Sequence, residues 1–135
     1  MQPLNIAIVD DNKSFRESLR FFLEKILLHK VIVESDNGNH FLETTDSTTP
    51  DIVLMDIEMP GMNGIITTRE LIKRNYPSKI LAITNHQDKV YLKELITAGF
   101  KGIVLKNNIH KDLPIALDDL IKGKMHFPRG ILKIK

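Results

Sequence analysis

The chain has no cysteine. That excludes disulfides, zinc–thiolate sites and thiol catalysis, and it suits a reducing compartment. Charge of either sign is barely in excess. Lys and Arg number 19 against 17 Asp and Glu, a formal net charge of +2, too little to argue for a nucleic-acid surface. No apolar run approaches the roughly 20 residues of a membrane span. The apolar start, Met1 to Val9, is broken by Asp10-Asp11 and does not read as a signal peptide. A cytoplasmic location without membrane contact is the expectation. The five histidines, at 29, 40, 86, 110 and 126, lack paired metal-ligand spacing. His86 is expected to line the site described below and the others to lie at the surface. A Gly-rich turn after the first apolar run is also missing. Asp10-Asp11-Asn12-Lys13 stands there instead and would repel a pyrophosphate, which argues against a dinucleotide-binding module.

What is present is a regular alternation. With 135 residues, 42% hydrophobic and 27% charged, the chain fits one soluble domain with a proper core. Short apolar runs at 4–9, 31–34, 52–55, 80–83 and 103–105 read as strands buried on both faces. Helical spacing follows each of them. Phe15, Leu19, Phe22, Leu23, Ile26 and Leu27 mark the first helix, which Ser14 and Glu17 would start as a capping box. A short helix is expected over 38–44, another over 65–75, a third over 88–98 with Gly99 as its C-cap. Ile109, Leu113, Ala116, Leu117, Leu120 and Ile121 make the last, stopped near Gly123. Five β-α units with short connections specify an α/β fold, a parallel sheet covered on both faces. The flavodoxin-like (βα)5 topology, five parallel strands in the order 2-1-3-4-5, is the expectation. Residues 1–124 form the domain. Residues 125–135, with Pro128 and Gly130, read as a linker or tail.

Polar residues stand where these apolar runs stop: Asp10 and Asp11, Asp56, Thr84 and Lys106. In an open parallel sheet those points converge on one edge, where such folds place their chemistry. Carboxylates that close cannot all stay ionised unaided. A hard divalent cation with oxygen ligands resolves the repulsion, and Mg²⁺ takes one or two carboxylates plus water and phosphate. Asp10, Asp11 or Asn12 could instead only cap the first helix. Asp56 can be a nucleophile forming an aspartyl phosphate or a loop-initiating Asp bonded to nearby amides. Lys106 can pair with a phosphoryl oxygen, and the Thr84 hydroxyl can donate to one or merely cap a turn.

The acidic pair, the stretch from Asp51 to Gly64 (Asp-Ile-Val-Leu-Met-Asp-Ile-Glu-Met-Pro-Gly-Met-Asn-Gly), Thr84, and the stretch from Ala98 to Lys106 together resemble the receiver domain of bacterial two-component response regulators. The resemblance covers 4–123. It implies that Asp56 accepts a phosphoryl group from the phosphohistidine of a sensor histidine kinase or from a small phosphodonor. It implies Mg²⁺ held by Asp11, Asp56 and the Glu58 backbone carbonyl, with Asp10 binding directly or through water. Lys106 would contact the phosphoryl group. Thr84 would move toward it and switch the face formed by the fourth helix, fifth strand and fifth helix. Such a protein is a phosphoacceptor rather than a turnover enzyme. Three positions depart from the family pattern: Ile103 where Tyr or Phe is frequent, Asn85 where a small residue is usual, and Asn107 where Pro is frequent. The segment from Leu120 to Pro128 resembles the end of receivers that precede a LuxR/FixJ-type helix-turn-helix domain. DNA would then be reached only through an output domain beyond this chain, and homodimerisation on phosphorylation is a further expectation. Two other readings stand beside this one. An aspartyl phosphatase would need Asp-x-Asp, whereas the chain has Asp56-Ile57-Glu58. A receiver-like interaction module would bind partners without being phosphorylated.

Overall fold

The computed structural model describes residues 2–85 and 92–127. Five parallel strands form one sheet: β1 (Asn5–Val9), β2 (Lys30–Ser35), β3 (Ile52–Asp56), β4 (Lys79–Thr84) and β5 (Gly102–Leu105). Their order is β2-β1-β3-β4-β5, as expected. The helices are α1 (Lys13–Phe21), α2 (Gly38–Glu43), α3 (Gly64–Lys73), α4 (Leu92–Ala98) and α5 (Ile109–Ile121). The expected start of the fourth helix at Asp88 lies outside the described residues.

Alternation along the strands divides the core in two. Ile6, Ile8, Leu54 and Val104 pack with Leu19 and Leu23 on one face, together with Leu113 and Leu117 of α5. Ala7, Val9, Met55 and Ile103 pack on the other with Phe41, Leu71 and Leu95. The inner strands β1, β3, β4 and β5 are therefore apolar on both sides over most of their length, and a polar residue closes each run where the strand leaves the sheet. Register fixes which of these meet. Val9 pairs with Met55, so Asp10 and Asp56 arrive level at the next step. Asp56 pairs with Ile83, and Thr84 with Leu105, one step before Lys106.

Asparagine starts three of the helices. The side chains of Asn12, Asn37 and Asn63 accept the amides of Phe15, His40 and Ile66 respectively, each satisfying an otherwise unpaired first-turn donor. The capping box at Ser14 and Glu17 does not form. Asp10 Oδ1 accepts the Asn12 amide at 2.8 Å, which turns the chain directly after β1, so the helix is already under way at Lys13. Past Phe21 the helix widens into a π turn (Phe22–Ile26). It ends with Leu28 at φ 63° and the His29 amide donating to the Leu23 carbonyl.

His29 was expected at the surface but is buried. Its Nδ1 accepts the Leu4 amide at 3.0 Å, which ties the end of the first helical segment to β1. Gly99 closes α4 at φ +113°, as expected of a C-cap. The tail is not wholly without an element. The Ile103 amide donates to the His126 carbonyl and the His126 amide to the Lys101 carbonyl, both at 2.9 Å. Phe127 packs against the second core. Pro128 and Gly130 lie outside the described residues.

Candidate functional site

Asp10 and Asp56 leave adjacent apolar strands at the same level and are both buried, at 2% and 5% exposure, while Asp11 is exposed. One carboxylate oxygen from each of the three lies within 4.8 Å of the others. Lys106 follows β5 and opens a single 3₁₀ turn (Lys106–Asn108). Its Nζ lies 2.7 Å from Asp10 Oδ2 and 3.6 Å from Asp56 Oδ2. Thr84, 1% exposed, ends β4 beside β3. The Glu58 amide donates to Asp56 Oδ1 at 3.3 Å. Gly64 is required here, because a Cβ at that position would collide with the Asp56 carbonyl oxygen. The start of α3 can therefore pack directly against the end of β3.

The electrostatics follow from this crowding. Burial pushes the Asp56 carboxyl up to about 7, and the neighbouring Asp10 charge pushes the same way. Lys106 and the Glu58 amide pull it back, while Asp11 adds a smaller upward push. Asp10 Oδ2 is buried without a hydrogen bond and meets the Lys106 ammonium as an ion pair. Three clustered carboxylates, two of them paired with this ammonium, are a set of hard oxygen donors with negative charge to spare, which suits Mg²⁺ better than a soft metal. The residues fit the ion that the sequence implied. Asp11 also lines a 630 Å³ cavity with Asp36, Asn37, His40 and Glu43, so the acidic pocket is open to solvent on the α2 side.

Asp10, Asp11, Asp56 and Lys106 are thus brought together by distance, and Thr84 and Glu58 by register and chain proximity. His86, expected to line the site, lies outside the described residues. Of the three departures, Ile103 is fully buried in the second core, Asn85 is exposed, and the Lys106–Asn107 bond is trans, since no cis peptide occurs among the described residues.

Two residues stand at the site that were not expected there. The Phe15 ring centroid lies 4.3 Å from Lys106 Nζ. Arg16 Nη1 donates to the Asp10 carbonyl at 2.6 Å, and its Nε lies 3.5 Å from Glu34 of β2. Phe15 fits the helical periodicity, so nothing in its spacing signals the contact with Lys106.

The model of the response regulator receiver domain matches residues 6–118. The chain is 34% identical over 103 residues to the transcriptional regulatory protein DegU of Brevibacillus brevis, covering 76% of this chain and 44% of that protein. It is 29% identical over 126 residues to the nitrate/nitrite response regulator NarL of Escherichia coli K12, covering 92% and 57%. It thus spans about half the length of these two curated relatives. Among solved structures, a LuxR-family two-component response regulator from Aurantimonas sp. SI85-9A1 superposes with a TM-score of 0.88 at 29% identity, covering 96% of this chain and 93% of that one.

Proposed function

Because the chain belongs to the response regulator receiver domain family, we propose that it is a phosphorylation switch with Asp56 as the phosphoacceptor. The observation that carries this is the meeting of Asp10, Asp11 and Asp56 within 4.8 Å, with Lys106 3.6 Å from Asp56. An Asp56 oxygen attacks the phosphorus of a phosphohistidine on a sensor histidine kinase. The P–N bond breaks, the imidazole leaves with the electron pair and takes up a proton, and an acyl phosphate remains on Asp56.

The chain's own groups prepare that step. The Lys106 ammonium partly offsets the burial and the Asp10 charge that together raise the Asp56 pKa. Lys106 sits close enough to turn its ammonium from Asp10 toward a phosphoryl oxygen. Thr84 offers a buried hydroxyl from the neighbouring strand, and its movement carries the signal to the face of α4, β5 and α5. Asp11, Asp56 and the Glu58 carbonyl would hold Mg²⁺, with Asp10 contributing directly or through water. When bound, the ion supplies charge that offsets the negative phosphoryl oxygens.

In this reading the protein is a phosphoacceptor and not a turnover enzyme. Residues 1–124 are the receiver and 125–135 begin a linker to an output domain that acts on DNA, a reading supported by the name of one relative, a transcriptional regulatory protein. Its setting is the cytoplasm. Among the described residues no helix is long and apolar enough to cross a membrane. Phosphorylation favours a homodimer, and a sedimentation profile unchanged by phosphorylation counts against that.

The test is intact mass after incubation with Mg²⁺ and acetyl phosphate, with Asp56→Asn alongside. One added phosphoryl group, dependent on Mg²⁺ and absent from the variant, is expected. No gain from acetyl phosphate or from the cognate kinase would leave the phosphorylation-independent interaction module in its place.

A further inference from the structure

Lys106 presents a physical problem. A lysine has a flexible four-carbon stem and a strongly hydrated ammonium. Asn107 and Asn108 beside it are exposed, so water is close by. Yet the Lys106 side chain is only 11% exposed. Two carboxylates draw the ammonium inward, and the Phe15 ring lies 4.3 Å from it. An aromatic face carries negative charge density and attracts a cation, most strongly where water is excluded.

Phe15 is itself fixed from both ends. Its ring packs against the first core. Its amide donates to Asn12 Oδ1 at 3.0 Å, and the Asn12 amide donates to Asp10 Oδ1 at 2.8 Å. The contacts close on themselves: Asp10 to Asn12, Asn12 to Phe15, Phe15 to Lys106, and Lys106 back to Asp10 at 2.7 Å. An aliphatic side chain at 15 would serve the core and the cap equally well. Only a ring also holds the ammonium.

We propose that Phe15 is a positioning residue for phosphoryl transfer, its ring holding the Lys106 ammonium at the acidic pocket. The inference rests on the receiver reading of Asp56. Without the ring, Lys106 spends more of its time in water and less within reach of an incoming phosphoryl group.

The test compares wild type, Phe15→Leu and Phe15→Tyr as full chains with ¹³C-labelled lysine, Lys106→Arg assigning the resonance. Ring current shifts the Lys106 ε-methylene protons upfield in wild type and in Phe15→Tyr, and Phe15→Leu returns them to the ordinary lysine position. The initial rate of phosphoryl uptake from acetyl phosphate, at saturating Mg²⁺, falls about fivefold in Phe15→Leu. It stays near wild type in Phe15→Tyr, and the Mg²⁺ dependence is unchanged in both. Far-UV circular dichroism checks folding, and Phe15→Met replaces Phe15→Leu if the latter unfolds. An unchanged rate without the ring overturns the inference, and so does an unmoved Lys106 resonance. An equal slowing in Phe15→Tyr reduces Phe15 to core packing. If wild type takes up no phosphoryl group from acetyl phosphate or its kinase, the receiver reading fails, and the Lys106 spectrum alone decides whether the ring holds the ammonium.

Discussion

Both ends of the sheet hold buried polar groups, and they treat them differently. Where the strands begin, the partners match. The Asn5 amide donates to Asp51 Oδ2 at 2.7 Å, Ser78 Oγ to the Pro50 carbonyl at 2.5 Å, and Lys79 Nζ to the Leu120 carbonyl at 2.5 Å. Where the strands finish, three carboxylates crowd within 4.8 Å of one another, and one lysine pairs with two of them. Ser78 and His29 are 7% and 8% exposed and Asp56 is 5%, so burial does not separate the ends. Charge balance does. Hydrogen bonds that close on themselves hold a fold together, whereas uncompensated charge of one sign calls for something from outside.

The largest effect should come from Asp56→Asn, which abolishes phosphoryl uptake. The same change relieves strain in the metal-free protein. The folded Asp56 carboxyl titrates near about 7, above the roughly 3.9 of an unfolded chain, so the folded state holds the proton more tightly. The stability this contributes is complete below about pH 4 and is lost as pH rises through about 7. Thermal melts in chelator should therefore fall over that window in wild type, and Asp56→Asn should lack this component and melt higher at neutral pH. Lys106→Met comes next. It leaves Asp10 and Asp56 facing each other without a counter-charge and should cost about 3 kcal/mol in urea unfolding, with slower phosphoryl uptake.

Added Mg²⁺ should have a smaller effect of opposite sign. At a large excess over its Kd it should stabilise the protein by about 2–3 kcal/mol, and Asp11→Asn should remove most of that gain. The smallest effect belongs to the other end. Ser78→Ala should cost about 1 kcal/mol and leave both phosphoryl uptake and the Mg²⁺ response unchanged. A change in either would erase the distinction between the two ends.

The strand-end residues were legible because the inner strands run apolar until they leave the sheet, so the polar residue that closes each run marks the edge. The sheet order followed separately, from five β-α units joined by right-handed crossovers. Helix starts were less legible. Three asparagines do the capping, and at α1 a carboxylate of the site itself sets where the helix begins, a tertiary fact that the Ser14 and Glu17 pattern could not anticipate. His29 looked like a surface residue because nothing nearby in sequence shows the Leu4 amide it accepts. Phe15 fitted the helical periodicity so well that its second contact, with a lysine 91 positions away in the chain, was hidden. The pairing of His126 with Lys101 and Ile103 was hidden for the same reason.

The most direct measurement is the position of the phosphoryl group in the chain. The protein would be treated with Mg²⁺ and acetyl phosphate, reduced with borohydride to convert an acyl phosphate to the alcohol, and digested for peptide mass spectrometry. The charge imbalance at the finishing end of the sheet predicts homoserine at position 56 alone, and none when Mg²⁺ is withheld. Homoserine at position 10, 11 or 51, or its appearance without Mg²⁺, would contradict it.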